Sequence, residues 1–133
     1  PLKGLTITPL TKMAANGYAS CHLHFDDVEL EVHSVVGKVD GAWPTLSLGG
    51  TIERVLVAAC CVGLSERIGQ FLHQYAQERQ VDGQPLYALT NIRHQIVDIA
   101  IQVRAASALN EQAITAICTG QNPLAAVCSA KVY

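Results

Sequence analysis

Residues that could bind a metal ion or act as a nucleophile are few and widely spaced in this chain. His22 and His24 are two residues apart in a strand-like run, so they share one face of the strand and could bind a metal ion. No further ligand has a suitable spacing, which favours exposed strand histidines. Ser65 lies in the middle of a helical pattern without the adjacent base that a nucleophilic serine needs. The sequence therefore predicts neither a metal site nor a catalytic residue.

The arginine at the end of the longest helical pattern is a further candidate. Arg79 follows the run VLVAACCVGLSERIGQFLHQYAQE and precedes the turn sequence Asp82-Gly83-Gln84-Pro85. The helix dipole favours a guanidinium at this end even when the side chain is only solvated. The same side chain could project beyond the helix and bind phosphate oxygens through two parallel hydrogen bonds. The residues alone favour the solvated arginine.

Composition limits the class of protein. The chain has 133 residues, 50% of them hydrophobic, and a net charge of -2 without a basic run, so we expect one packed domain and no nucleic-acid partner. The five cysteines are odd in number and form no C-x-x-C pair, which is typical of a reduced, cytoplasmic protein. No apolar stretch is expected to span a membrane, and the first residues do not resemble a signal peptide.

The period of the apolar residues changes along the chain. Residues 1 to about 35 alternate as strands do, with an Asn16-Gly17 turn between two runs. Residues 37–50 carry four glycines and one proline, which predicts a joint between two regions. We therefore expect residues 1–42 to hold two or three strands and the joint, and residues 43–133 to form an incomplete helical domain.

Two long helices are predicted in the second region. The first runs from Thr51 to about Gln80, a length of ~45 Å at the rise of an α-helix. The second begins at about Thr90, and its inner stripe has the spacing of two antiparallel helices packed at a shallow angle. The stripe consists of Ile92, Ile96, Ile99, Val103, Ala106, Asn110, Ala113 and Ile117. Its one polar member, Asn110, is interpreted as a register-setting or solvated residue rather than a ligand.

A third helix follows, and the predicted fold class is mainly α. Gly120 ends the second helix, Asn122 caps the third, and Pro123 takes its first position. The third helix reaches the last residue without a cap, and a bundle usually needs a fourth helix to cover its apolar faces. We therefore expect a piece of a longer protein, or a chain that completes its core by assembly.

Three stretches, taken in order, resemble the acyl-CoA dehydrogenase family. The first, TKMAANGYASCHLHFDDVELEVHSVVG, is similar to the end of that family's middle β-domain, with its F-D-D-V run. The second, ERVLVAACCVGLSERIGQFLHQYAQERQ, resembles the first helix of the C-terminal domain, which ends in Y-A-x-E-R. The third, DGQPLYALTNIRHQIVDIA, resembles the turn and second helix that follow. The resemblance covers nearly the whole chain in the family's order.

The resemblance implies a function as well as a fold. Members of the family bind FAD and remove two hydrogens from the α and β carbons of an acyl-CoA thioester. They are usually tetramers built as dimers of dimers. The resemblance thus implies an FAD-dependent homo-oligomer, a dimer or a tetramer, that acts on acyl-CoA.

Four residues match flavin contacts of the family. The resemblance places Arg79 at the FAD pyrophosphate of a neighbouring subunit. Val81, Asp82 and Thr90 occupy the other three positions, where the family has a hydrogen-bonding residue, an aromatic residue and a glutamine. A carboxylate ~4 Å from a phosphate costs on the order of several kcal/mol near a protein surface. The resemblance therefore implies a flavin site in which Arg79 is retained and three contacts are altered.

The substrate side departs from the family too. Arg54 matches an arginine near the acyl-CoA, and Thr51 occupies the place of an aspartate that helps to hold the substrate. The family's catalytic base, a glutamate in a late loop, has no counterpart in these residues. We therefore expect no dehydrogenation by this chain alone.

Two functions remain open at this point. The first is part of an acyl-CoA dehydrogenase-like flavoprotein. The alternative is a non-catalytic, self-associating helical module derived from that fold. We favour the first. The alternative is supported by the replaced flavin contacts and by two long apolar stripes that need cover, the one on the second helix given above and one on the first helix at Cys61, Leu64, Ile68, Phe71 and Tyr75. Restoring an aromatic residue at Asp82 would distinguish the two through FAD affinity.

Overall fold

The computed structural model describes residues 2–14 and 17–133 of the chain. They form two units, Pro1–Ala42 and Trp43–Tyr133, which are described separately. Asn16 of the predicted turn lies outside the described residues.

The first unit contains a β-hairpin. Strand β1 (Leu5–Pro9) pairs antiparallel with β2 (Cys21–Phe25). Ile7 lies opposite Leu23 on one face, while threonines pair with histidines on the other, as the alternation predicted. Both apolar side chains are more than half exposed, so the hairpin leaves its apolar face open within the described chain.

Helix α1 begins earlier than the sequence predicted. It spans Ala42–Glu78, 37 residues and about 56 Å, instead of starting at Thr51. The prediction of a joint over residues 37–50 is therefore wrong for its second half. Pro44 falls in the first turn of the helix, where a missing N–H leaves no helical hydrogen bond unmade. The prediction placed the start of the helix too late because it treated Pro44, Gly49 and Gly50 as helix breakers, whereas all three lie within α1.

Helix α2 (Thr90–Cys118) begins at the predicted residue and packs antiparallel to α1. Val55 of α1 shares the core with Ala113 of α2, while Gly69 lies further along α1 and faces the Ile99 side chain. The predicted inner stripe of α2 is the face that is buried or half-buried. The prediction of two long antiparallel helices is confirmed.

The face that α1 turns to α2 is less apolar than one of its exposed faces. Its buried and half-buried positions recur at alternating steps of three and four, the spacing of a packed helical seam. We call this the inner seam of α1; it consists of Val55, Ala58, Val62, Ser65, Gly69, Leu72 and Ala76. A second apolar row is exposed, and we call it the outer seam: Val57, Cys61, Leu64, Ile68, Phe71 and Tyr75. The helix therefore has two apolar rows, only one of which is covered.

Gly120 ends α2 as predicted. Its φ is 70°, which glycine adopts without the steric cost that a side chain brings. The Gly120 N–H donates to the Ile117 carbonyl at 3.2 Å, and the Gln121 N–H donates to the Ala116 carbonyl at 3.0 Å. This pair of bonds is a Schellman motif, which satisfies carbonyls that the helix end leaves open.

Helix α3 (Leu124–Val132) completes a small three-helix core. The Leu124 N–H donates to Asn122 Oδ1 at 3.1 Å, so the asparagine binds the start of the helix as expected. Val127 packs with Val55 and Ala113, and Ile117, Ala126 and Ala130 line this cluster.

Asn110 is buried in the predicted stripe of α2. The residue is 7% exposed, and its Oδ1 atom finds no hydrogen-bond partner among the described residues. The interpretation as a solvated position is therefore wrong, and the register-setting role stays a prediction.

Helix α1 is also long and apolar enough to cross a membrane by length and composition, with a mean hydropathy of 1.5 in its most apolar window. The sequence analysis did not anticipate this. Core helices of soluble proteins meet the same criterion, so the observation is weak evidence for a membrane span.

Candidate functional site

The chain around Arg79 is held from both sides. Its N–H donates to the Tyr75 carbonyl at 2.8 Å, continuing the bond pattern of α1. Its carbonyl accepts the N–H of Leu86 at 2.7 Å, which ties it to the residues that lead into α2. Each bond fixes one side of the peptide chain, so Arg79 projects from a firmly positioned backbone.

A tight hairpin separates these two anchors. Strand β3 (Gln80–Val81) pairs antiparallel with β4 (Gln84–Pro85). Asp82 and Gly83 form the two-residue turn with φ angles of 49° and 76°. Two positive φ angles match a type I′ turn, for which Asp-Gly is among the preferred sequences. The helix stop predicted here is present, and the hairpin is an additional element whose sequence signal is this Asp-Gly dipeptide.

Arg79 has the features of a phosphate ligand. Its side chain is exposed, and its guanidinium forms no ion pair or hydrogen bond with any residue in the described ranges 2–14 and 17–133. Five N–H donors are therefore available, and they match phosphate oxygens in pairs. The local structure thus fits one diphosphate contact of a flavin nucleotide.

Asp82 and Val81 fit that ligand less well. Asp82 lies at the tip of the turn, where its short polar side chain suits the left-handed backbone. Its carboxylate places a negative charge three residues from Arg79. Val81 is 39% exposed and has no polar side-chain atom to offer a cofactor. The turn geometry explains the aspartate, and neither side chain adds a bond to a phosphate.

Thr90 begins α2 at the same end of the helix pair. Its Oγ1 accepts a hydrogen bond of 3.2 Å from Nη2 of Arg93. The sequence analysis missed Arg93, although a spacing of three residues on a helix brings two side chains together. This end of the helix pair therefore carries two guanidinium groups, those of Arg79 and Arg93.

Thr51 and Arg54 lie early in α1 and bind carbonyl groups of their own helix. Thr51 Oγ1 donates to the Ser47 carbonyl at 2.8 Å, and Arg54 Nη1 donates to the Gly50 carbonyl at 3.1 Å. A substrate that used either side chain would have to replace these bonds.

The predicted site residues fall into two separate groups. Arg54 lies about 36 Å along the helix axis from Glu78, the last residue of α1. Arg79, Val81, Asp82 and Thr90 are thus brought to one end of the helix pair, and Thr51 and Arg54 are not. One copy of these residues does not form a single site from both groups.

The described residues hold no cluster of three or more histidine, cysteine, aspartate or glutamate side chains that could bind a metal ion. His22 and His24 lie on one face of β2 without a third ligand in that part of the chain.

Comparison with known proteins identifies the helical part. The family described as "Acyl-CoA dehydrogenase, C-terminal domain" matches residues 43–133. Cyclohex-1-ene-1-carbonyl-CoA dehydrogenase of Syntrophus aciditrophicus is 32% identical over 104 residues, which are 78% of this chain and 25% of that protein. The chain thus spans about a quarter of the length of this curated relative.

Solved structures show the same fold. Butyryl-CoA dehydrogenase of Megasphaera elsdenii superposes with a TM-score of 0.90 at 22% identity, over 97% of this chain and 34% of that one. An FAD complex of PigA superposes with a TM-score of 0.87 at 19% identity, over the same shares of the two chains. The first helix, the turn that follows it and the second helix therefore match the family in sequence and in structure. The chain belongs to the acyl-CoA dehydrogenase family.

Proposed function

We propose that this chain supplies part of an FAD-dependent acyl-CoA dehydrogenase, with Arg79 as a ligand of the flavin diphosphate. The observation that carries the proposal is the Arg79 guanidinium, which is exposed, unpaired within the described ranges and fixed at its backbone by two hydrogen bonds. A side chain beyond the end of a long helix can reach across an interface. The diphosphate would therefore belong to a neighbouring copy in a cytoplasmic dimer or tetramer.

Each residue would have a limited role in that site. Bound FAD would supply the acceptor for the hydride from the β carbon of the thioester, while a base would take the proton from the α carbon. Arg79 would neutralise and orient the diphosphate, while Arg54 and Thr51 would contact the acyl-CoA at the other end of α1. No residue of this chain matches the late-loop glutamate that the family resemblance implies as the base, so the proposal assigns removal of the α proton to a residue outside these 133 positions.

Flavin titration of matched arginine variants tests this proposal. A charged hydrogen-bonded contact contributes about 1.5–3 kcal/mol, so Arg79→Gln should weaken FAD binding by about 10- to 100-fold. Arg67→Gln removes an exposed charge from the middle of the same helix and should leave FAD binding unchanged. Flavin fluorescence and calorimetry give both affinities. Equal affinities in the two variants would reject Arg79 as the ligand.

One observation favours the alternative, a non-catalytic module that associates with itself. The outer seam of α1 is exposed, and its largest apolar side chain, Phe71, is 63% accessible. Contiguous apolar surface of this kind marks an interaction site in most soluble proteins. Association without any flavin affinity would support the alternative over the dehydrogenase.

A further inference from the structure

Two consecutive glycines lie within α1 near its beginning, and no neighbouring atom requires a glycine at either position. A Cβ at Gly49 would meet no atom within 4 Å, and one at Gly50 would meet only Arg54 Nη1, at 3.6 Å. Neither glycine is among the residues with positive φ. Alanine would therefore fit at both positions, although glycine is a much poorer helix former.

The helix before this pair has few contacts of its own. None of residues 42–48 is buried, and the first buried residue of α1 is Val55. Trp43 is 78% exposed, and Leu46 and Leu48 are nearly as open. The first turn has no acidic residue to interact with the helix dipole. Packing within the described chain thus stabilises the helix only beyond the glycines.

Side-chain hydrogen bonds close the helix around the pair. The bond from Thr51 Oγ1 to the Ser47 carbonyl, 2.8 Å long, spans both glycines. The bond from Arg54 Nη1 to the Gly50 carbonyl, 3.1 Å long, covers the second glycine. Both donors are the residues proposed above to contact acyl-CoA. Unfolding of the segment before the glycines would remove the Ser47 carbonyl from Thr51, whereas the bond of Arg54 lies at the second glycine and would remain.

We propose that Gly49–Gly50 is a hinge at which residues 42–48 unfold and refold separately from the rest of α1, with Thr51 as the clasp that favours the closed state. The proposal needs no flavin and no substrate. It rests on the glycine pair, the lack of buried contacts before it and the hydrogen bond across it. It predicts that the Thr51 hydroxyl is available to a ligand mainly when the hinge is open.

Amide hydrogen exchange of the whole chain tests the hinge. The first four N–H groups of a helix, here those of residues 42–45, have no acceptor within the helix. The comparison therefore uses the amides of residues 46–48, which donate to carbonyls of the segment. In the wild type they should exchange at least about tenfold faster than the amides of residues 62–72, as locally opening segments do. Trp43 is the sole tryptophan, so its fluorescence quenching reports on the same segment.

Alanine substitution of the pair should close the hinge. Each Gly→Ala change favours the helix by about fivefold, so Gly49→Ala with Gly50→Ala should slow exchange at residues 46–48 by about 10- to 25-fold. Gly63→Ala is the matched control, because a Cβ there also meets no atom within 4 Å and the change lies in the same helix. It should leave residues 46–48 unchanged.

The clasp is tested by a pair of substitutions. Thr51→Val keeps the shape of the side chain but removes the hydroxyl, so residues 46–48 should exchange several-fold faster. Thr51→Ser keeps the donor and should retain the wild-type rate. Equal protection of residues 46–48 and 62–72 in the wild type would overturn the hinge, as would unchanged exchange after both glycines are replaced.

Discussion

At the scale of single residues, Arg79 and Asp82 oppose each other in the proposed diphosphate site. The arginine supplies the donors that a phosphate needs, and the aspartate supplies a charge that repels it. Both follow from local structure, since the end of α1 fixes the arginine and the type I′ turn suits the aspartate.

Neutralising Asp82 should strengthen flavin binding. Asp82→Asn removes the negative charge but keeps a residue that tolerates a positive φ, whereas an aromatic residue would strain the turn. We expect FAD affinity to rise by several-fold at low salt, and the gain to shrink as salt screens the charges. Titrations at two ionic strengths measure this effect. An unchanged affinity would place the diphosphate away from the turn.

Asn110 should cost stability in this chain. A buried acceptor without a partner costs about 1–3 kcal/mol, and leucine has the same branching without polar atoms. Asn110→Leu should therefore raise the free energy of unfolding by about 1–3 kcal/mol in urea. Asn91→Leu, an exposed change on α2, should remain within about 0.5 kcal/mol of the wild type. Destabilisation by Asn110→Leu would mean that Oδ1 has a partner in solution.

At the scale of elements, apolar periodicity predicted α2 better than α1. The inner stripe of α2 is apolar at nearly every position, so its spacing identified the buried face. The inner seam of α1 includes Ser65 and Gly69, which allow close approach but carry no apolar signal. The stronger signal came from the outer seam, which is exposed. Periodicity thus located apolar rows on α1 without showing which row faces α2.

The positions of the candidate site residues in the fold were predicted to a similar degree, while their roles stay predictions. The resemblance and the helix end together located Arg79, because helix stops have local sequence signals. The carbonyl bonds of Thr51 and Arg54 depend on rotamers that no spacing rule specifies. Arg93 was missed because its partner, Thr90, was considered only as a replaced cofactor contact.

The outer seam predicts self-association. Leu64→Glu with Phe71→Glu puts two charges into this row. Central apolar residues of an interface commonly contribute about 2 kcal/mol or more, so the dissociation constant of the oligomer should rise by about 100-fold or more. Ala59→Glu adds a charge to an exposed position outside the seam and serves as the control. Sedimentation velocity over a concentration range measures the effect. A monomeric wild type at every concentration would show that this row does not join copies of the chain.

At the scale of the whole molecule, the chain covers only part of the fold of its relatives. It spans 25% of the curated relative and 34% of each solved structure, while nearly all of the chain superposes on the latter. The two groups of predicted site residues are separated by most of α1, since Arg54 lies about 36 Å along the axis from the last residue of the helix, Glu78. Under the proposed function, assembly of several copies would bring the Arg79 end of one copy to the diphosphate held by another.

Native mass spectrometry of the purified chain, with and without FAD, tests this account most directly. We expect a dimer or tetramer whose mass increases by whole FAD molecules, and we expect Arg79→Gln to form the same oligomer without retaining the flavin. An oligomer that takes up no FAD, or one that retains FAD after the Arg79→Gln change, would contradict the proposal that Arg79 binds the flavin diphosphate across an interface.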